Sequence, residues 1–383
     1  MMIADTNHLK KLLREHIFTS KFGSSFALLQ CRKMGLYQVL ALPKTLQSRP
    51  SLKSKRRKIK MNFNIIVEDS LSRAHFFRAL WKSASTLRNI VYNNSIPATV
   101  LDFEMFQAHD NGTGKNVQRL FSGKKHWEKK EDRIGVGDFF TFLKIHGYTT
   151  VFQEDNCWYD KWGSLLDLRR RDRVKDHEER NLLWRDFVQL LKRTNVSKAI
   201  DDFGVTFLAC SAYAYLQATN IYNSRRFPNA CFAGQHISSL FLNYVEHFMT
   251  LNDNAATPYF SYTHVSTSHE PIGRRIANDD VTLSKLLHKA AFLKNTLTIF
   301  LSNHGSKSTE FASYSTQGKR EIFRPFMFLI IPHKVGRNFD AEILNALVVN
   351  QKRLVGLQDL GEALKAYVSP LIGSPEGFLV KYL

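Results

Sequence analysis

Apolar residues in this chain come in short blocks, of which Phe326–Ile331 is the least interrupted by polar ones. The runs at Phe63–Val67, Pro97–Phe103, Thr149–Phe152, Tyr259–Val265, Leu297–Leu301 and Phe326–Ile331 are rich in aromatic and β-branched residues. Blocks of that length suit strands buried on both faces of a sheet. Between them the spacing changes to a helical period. Leu71–Leu87 reads as a helix, with Ser70 placed to cap it and Arg73, Arg78 and Lys82 on the wet side. Asp138–His146 reads as a helix ending at Gly147, and Asp280–Leu293 as another. Gln235–Leu251 repeats Ile237, Leu240, Phe241, Tyr244, Val245 and Phe248 at helical intervals. The charge-dense stretch Arg169–Arg193 reads as one exposed helix or a pair. Strands alternating with helices predict a three-layer α/β/α sandwich with a mostly parallel central sheet.

The sandwich is expected to occupy residues 61–370. Before it lies a basic leader, 1–60, expected to be poorly ordered apart from a short amphipathic helix at Leu9–Ile17; after it comes a tail, 371–383. No internal repeat or low-complexity tract interrupts the pattern. At 383 residues with 44% hydrophobic content the chain can bury a full core. No apolar run approaches the roughly 20 residues that span a bilayer. The first residues hold Asp5, His8, Lys10, Lys11 and Arg14, which leaves no signal-peptide core. Cys31, Cys157, Cys210 and Cys231 are widely spaced, so free thiols and one or two disulfides both stay open.

The net charge of +20 would attract a polyanion without naming it. Six of the eight residues Lys53–Lys60 are basic. That run is either a nuclear-localisation or nucleic-acid patch or a solvated linker into the first strand. It lacks the interleaved aromatics that stack on bases, which favours the linker.

Several strands end in polar groups able to serve one chemistry. Phe63–Val67 stops at Glu68-Asp69, Tyr259–Val265 leads into Ser268-His269-Glu270, and Leu297–Leu301 stops at Ser302-Asn303-His304-Gly305. Thr113 follows the Pro97 strand. In open α/β sheets ligands sit at the carboxyl edge, where these groups fall. Hard oxygens with a histidine suit a divalent cation such as zinc, manganese, magnesium or calcium. Such an ion lowers the pKa of a hydroxyl nucleophile and neutralises charge on a phosphoryl group.

From about Asn62 to Tyr367 these motifs, taken in order, resemble a sulfatase-like family of unknown function in the alkaline-phosphatase-like superfamily. Val67-Glu68-Asp69-Ser70-Leu71-Ser72-Arg73 resembles its opening strand and implies Asp69 as a metal ligand. Thr113, with Asn116-Val117 and Phe121-Ser122-Gly123-Lys124, falls at its Asn-Thr-x-Pro-Asn and Thr-Gly-Lys elements, which implies Thr113 as nucleophile. Gly147-Tyr148-Thr149-Thr150 with Glu154-Asp155, Cys231 with Gly234, and Ser268-His269-Glu270 are similar to further elements. So are Gln317-Gly318 with Glu321 and Pro325, and Asn350, Arg353, Leu354 and Asp359. The resemblance implies Asn303 and His304 as metal ligands and His269 as a residue that binds substrate or metal. It also implies relatives in the secretory pathway or outside the cell.

The chain departs from that pattern at Asn303, where an aspartate is expected, and at Gly112 and Lys115 around Thr113. Ser306-Lys307 lacks the usual arginine. No cysteine has the Cys-x-Pro/Ala-x-Arg context of a formylglycine sulfatase: Cys31 precedes RKMG, Cys157 WYDK, Cys210 SAYA and Cys231 FAGQ. A threonine nucleophile fits hydrolysis or transfer of an anionic phosphoester. Two other classes stay open: an inactive binding or scaffold protein that keeps the fold, and a nucleic-acid-binding protein favoured by charge alone. His109, His126, His146 and His264 are read as structural, since no spacing separates them.

Overall fold

The computed structural model describes residues 25–31, 36–47, 60–122, 136–157, 200–216 and 230–368, with a few single positions between them. The charged stretch Arg169–Arg193, the basic run up to Ile59 and most of Leu9–Ile17 lie outside the described residues.

The elements run β1 (Phe26–Cys31), β2 (Leu36–Ala41), β3 (Asn62–Glu68), α1 (Arg73–Ala79), α2 (Trp81–Tyr92), β4 (Ala98–Asp102), β5 (Phe106–Gln107) and α3 (Thr113–Ser122). They continue with α4 (Val136–Ile145), β6 (Thr149–Glu154), α5 (Phe207–Tyr215), β7 (Cys231–Phe232), β8 (Gln235–His236), α6 (Ile237–Asn252), β9 (Tyr259–Val265) and α7 (Asp280–Ala291). Last come β10 (Thr296–Leu301), α8 (Glu310–Tyr314), α9 (Thr316–Ile322), β11 (Met327–Pro332), α10 (His333–Gly336), α11 (Ala341–Asn350), β12 (Val355–Gly356) and α12 (Leu357–Val368).

Six strands form the central sheet in the order β4-β11-β10-β3-β9-β6. β10, β3, β9 and β6 run parallel, while β11 is antiparallel to both of its neighbours. The sheet separates two apolar layers, which is the predicted α/β/α sandwich. On β3, Ile66 faces a core shared with Phe76 of α1, Leu87 of α2, Phe248 of α6 and Leu287 of α7. Phe63, Ile65 and Val67 face the other, with Phe121 of α3, Phe140 of α4, Leu347 of α11 and Leu360 of α12. Burial of such a side chain is worth about 1.5–3 kcal/mol, so the continuous run on β3 anchors both layers.

Two expectations are corrected. The leader is not uniformly unstructured: β1 and β2 pair as an antiparallel hairpin. Phe26, Leu28, Val39 and Ala41 alternate along its strands and pack on the core over α5 and α6. Ser25 ties this hairpin down through its hydroxyl, which donates to the Phe203 carbonyl at 3.0 Å and pairs with the Tyr244 hydroxyl at 2.7 Å. The helix predicted over Leu71–Leu87 is two helices that meet at Leu80, whose φ of −111° and ψ of 57° break the period. Its cap is Ser72, not Ser70: the Ser72 hydroxyl accepts from the His75 amide. Ser70 instead takes φ of 63°, a left-handed conformation rare outside glycine.

Candidate active site

Asp69, Thr113, His304 and His264 meet at the carboxyl edge of the sheet. β3 ends at Glu68, and the chain continues in ladder register for one more residue, with the Asp69 amide donating to the Val265 carbonyl at 2.8 Å. This holds the Asp69 carboxylate between the ends of β9 and β10. The left-handed turn at Ser70 then reverses the backbone so that the Ser70 amide donates to Asn303 Oδ1 at 3.3 Å.

Thr113 begins α3 and is placed by Asn116. That buried amide accepts from the His109 and Asp110 backbone amides through Oδ1 and donates to the Asp110 and Gly112 carbonyls through Nδ2. Four bonds from one side chain fold the loop so that Thr113 Oγ1 lies 3.0 Å from each Asp69 carboxylate oxygen. The same oxygen is 3.1 Å from His304 Nε2.

His304 is fully buried. Its Nδ1 lies 2.7 Å from the Gly305 carbonyl, which can only accept, so Nδ1 carries the proton and Nε2 presents a lone pair. The glycine that follows is there for space. A Cβ at Gly305 would come within 2.2 Å of the Glu321 carbonyl oxygen, and one at Gly318 within 2.0 Å of the Phe311 carbonyl oxygen. The Gln317-Gly318 and Glu321 motif therefore braces the loop that carries His304. Glu321 completes the brace by accepting from Ser72 Oγ at 2.7 Å and from Arg78 at 2.9 Å.

Asn303 lies beside these groups, but its oxygen accepts from the Ser70 and His304 backbone amides. Its Nδ2 is buried without a hydrogen-bond partner. His269 is half-buried at the rim, and its charge acts on Asp69 and His304. The Glu270 carboxylate does structural work, accepting from the amides of Ile272, Arg274 and Arg275.

His264 was not singled out by the sequence. It is the sixth residue of β9, opposite Val67 of β3, and so sits directly beside the carboxyl end of β3. Its Nε2 is 3.6 Å from Asp69 Oδ2, longer than a hydrogen bond, and has no hydrogen-bond partner. The interaction is therefore electrostatic. Only strand register, which a single sequence does not reveal, would have found it.

The electrostatics follow from this packing. Burial drives the Asp69 carboxyl upward, but His264, His304 and His269 outweigh it and hold the group well below the usual carboxylate range. Burial holds His304 below its ordinary value despite Asp69. Burial also pulls His264 down, and there the Asp69 carboxylate prevails and raises it.

Among the described residues, no group of three or more His, Cys, Asp or Glu side chains has the geometry of a metal centre. A cation here would need the Thr113 hydroxyl as a donor, and with it the set fits. Two acceptors, Asp69 Oδ1 and the His304 Nε2 lone pair, face each other at 3.4 Å, an arrangement that calls for a positive charge between them. Separations of 3.0, 3.1 and 3.4 Å among Asp69, Thr113 and His304 match the edge of roughly 3.3 Å in a tetrahedron with arms near 2.0 Å.

Comparison with known proteins gives one family and a set of solved structures. A family described as "Protein of unknown function (DUF229)" matches residues 209–369, the part that carries Ser268–Glu270, Asn303–Gly305 and Gln317–Glu321. The curated proteins give no match. Among solved structures, the C-terminal periplasmic domain of EcEptC from Escherichia coli is 10% identical, with a TM-score of 0.43 over 84% of this chain and 85% of that one. The soluble domain of lipooligosaccharide phosphoethanolamine transferase A from Neisseria meningitidis is 10% identical, with a TM-score of 0.44 over 84% of this chain and 92% of that one. A protein in the alkaline phosphatase superfamily from Vibrio parahaemolyticus is 14% identical, with a TM-score of 0.43 over 86% of this chain and 72% of that one. The family match thus falls on the stretch that carries the Ser268–Glu270, Asn303–Gly305 and Gln317–Glu321 motifs, and over residues 209–369 the chain is similar to a family whose function is unknown.

Proposed function

We propose that the chain is a metal-dependent phosphoester hydrolase or phosphotransferase with Thr113 as its nucleophile. The observation that carries this reading is the convergence of the Thr113 hydroxyl, the Asp69 carboxylate and the His304 Nε2 lone pair within 3.4 Å of one another. Asp69, His304 and Thr113 would hold the ion, with His264 and Asn303 beside them. Zinc suits this mixture of nitrogen and oxygen donors best. When bound, a divalent cation supplies the field that lowers a hydroxyl pKa and neutralises phosphoryl charge.

The rest of the chemistry belongs to the chain. Thr113 Oγ1 attacks phosphorus, forming the Oγ–P bond as the ester P–O bond breaks and the alkoxide departs to take a proton from solvent. Its own proton leaves along the hydrogen bond to Asp69. Water, or an acceptor hydroxyl in a transferase, then attacks phosphorus and loses its proton to solvent as the Oγ–P bond breaks and Thr113 Oγ1 takes its proton back from Asp69. The N-terminus of α3 supports the incoming anion, because first-turn amides and the helix dipole favour negative charge. His269 at the rim contributes positive potential toward the substrate.

The disulfide between Cys157 and Cys210 supports a secretory or extracellular setting, since such bonds persist in oxidising compartments. Purified full-length chain should hydrolyse nitrophenyl phosphate mono- or diesters with added zinc or manganese, and Thr113→Ala should abolish that turnover without loss of fold. Activity that survives Thr113→Ala would end the covalent mechanism. A second reading, a fold-retaining binding protein, draws on Asn303, whose neutral amide replaces an anionic ligand. Absence of both metal uptake and turnover would select it.

A further inference from the structure

At the carboxyl edge of the sheet the protein carries an exposed surface that mixes large apolar side chains with arginine. Its parts are joined by contacts. His75 Nε2 lies 2.7 Å from the Gly273 carbonyl, which fixes the loop holding Ile272 and Arg274 against α1. A Cβ built on Gly273 would lie 3.7 Å from Thr309 Cγ2, so the start of α8 abuts the same loop. The Arg78 guanidinium sits 5.9 Å over the Phe311 ring and links α1 to α8. Because β10 and β11 are antiparallel, the connection 302–326 leaves from and returns to the sheet edge where Thr113 and His304 lie.

The exposure of this rim is unusual. Tyr314 is 87% exposed and Ile272 71%, and Phe311 is also exposed. Trp81, three residues after Arg78, is 66% exposed. Isolated exposed apolar residues need no explanation, but several on elements joined by the His75–Gly273 and Arg78–Phe311 contacts mark an interaction surface. Arg274 and Lys307 are exposed on the same segments. The only acidic side chain exposed on α8 is Glu310, and Glu321 of α9 is buried against Arg78.

We propose that this rim docks the protein on the headgroup layer of an anionic lipid bilayer, so that the phosphoester offered to Thr113 is a membrane lipid's. Tryptophan and tyrosine partition to that layer because one end of each ring is apolar and the other polar. Arginine and lysine beside them are drawn to the negative surface potential of anionic lipids. The side chains project from helix and loop surfaces, as a lipid surface requires. Nucleic-acid binding instead uses aromatics stacked within a basic groove, and Ile272 offers no stacking face. Among the described residues no helix is long and apolar enough to cross a membrane, so the docking proposed for this rim is of its surface side chains.

The docking part stands on the surface alone; the lipid-substrate part rests on Thr113 being the nucleophile. Flotation of the full chain with phosphatidylcholine vesicles, with and without about 30 mol % phosphatidylserine, tests the first. Binding to the anionic vesicles is expected, weakening as salt rises. Arg274→Gln should lower the partition coefficient about fivefold, and Tyr314→Ser should lower it by a comparable factor. Thr113→Ala should bind as the wild type does, and Tyr314→Ser should still turn over a soluble nitrophenyl ester, which separates docking from chemistry. No binding to either vesicle, or binding indifferent to both rim variants, overturns the proposal. So does single-stranded oligonucleotide binding that both rim variants remove while vesicles are ignored. Release of phosphorylated headgroup from vesicles by the wild type but not by Tyr314→Ser supports the lipid substrate. Full soluble turnover with no release overturns that part alone.

Discussion

Glu68 and Asp69 are neighbours at the end of one strand, both carboxylates and both buried, yet their surroundings drive them in opposite directions. Glu68 projects to a side where both its oxygens lack a hydrogen-bond partner. Burial raises its pKa well above the usual range, and the carboxylates of Asp279, Asp155 and Asp69 push it further. Asp69 projects toward Thr113 and three histidines, and those imidazoles more than offset the same burial. Side-chain alternation along a strand sends consecutive residues to opposite faces, so one step of chain separates a buried acid whose pKa is raised from one whose pKa is lowered. The histidines, rather than the other acids, mark the side of this edge on which Thr113 lies.

Replacing each acid by its amide is the strongest way to break that comparison. Asp69→Asn removes the carboxylate that Thr113 Oγ1 contacts and should cost turnover at least about a thousandfold, in the range seen when charge-stabilising groups are removed from active sites. Glu68→Gln swaps a buried carboxyl whose pKa is raised by burial for a neutral amide of the same shape, so turnover and metal uptake should stay near wild type. Steady-state kinetics with circular dichroism to confirm folding would read both. Equal losses from the two variants would show that the acids act as one unit and that the division between them is wrong.

Asp201 sharpens the comparison away from the site, as a buried acid with hydrogen bonds but no cation. Its carboxylate accepts from the Phe203 amide at 3.0 Å and from the Thr206 amide and hydroxyl, each at 2.7 Å. Burial still raises its pKa to about 6, with those hydrogen bonds opposing the shift. A folded pKa above the unfolded value means that the folded state holds its proton longer. Stability is then full below pH 4, falls as pH rises from the unfolded value toward 6, and is flat above that. The total is on the order of 3 kcal/mol for a shift of about two units. Asp201→Asn should flatten this part of the pH profile of the urea midpoint. An unchanged slope between pH 4 and 6 would assign the titration elsewhere.

Sequence pattern reached the sheet more completely than the site. The strand Tyr259–Val265 is observed with the predicted ends, and the runs ending at Leu301 and near Ile331 lie within a residue of theirs. These strands are buried on both faces, so they are rich in aromatic and β-branched residues and their boundaries are sharp. Asp69, Thr113 and His304 were legible as polar groups at element ends. His264 was hidden because it belongs to the buried run itself, and only its register against Val67 brings it to Asp69. The disulfide was hidden for a similar reason, since Cys157 and Cys210 are separated by 53 positions and meet only through the fold. The β1–β2 hairpin was missed because basic residues on either side masked the alternation of its short strands.

The smallest expected effect concerns Asn303, one of the positions at which this chain departs from the pattern its motifs resemble. Its Oδ1 is committed to two backbone amides, which also fixes the orientation of the group, because the reverse would set N–H against N–H. The end that differs in Asn303→Asp is therefore Nδ2, now buried and unpartnered. The substitution leaves the two backbone bonds in place and exchanges an orphaned donor for an anionic oxygen next to His304. Without a cation, that oxygen adds buried negative charge near Asp69 and should lower the thermal midpoint. With a cation, it becomes one more ligand, and zinc affinity should rise about tenfold or more, the equivalent of roughly 1.4 kcal/mol. Calorimetric titration of both proteins with zinc, paired with melting curves in chelator and in zinc, reads the two signs separately. A loss of stability in chelator that zinc reverses would establish this edge of the sheet as a cation site weakened by one amide. A loss that zinc leaves untouched would mean that the orphaned nitrogen faces protein rather than ligand, and that Asp69 and His304 work without it.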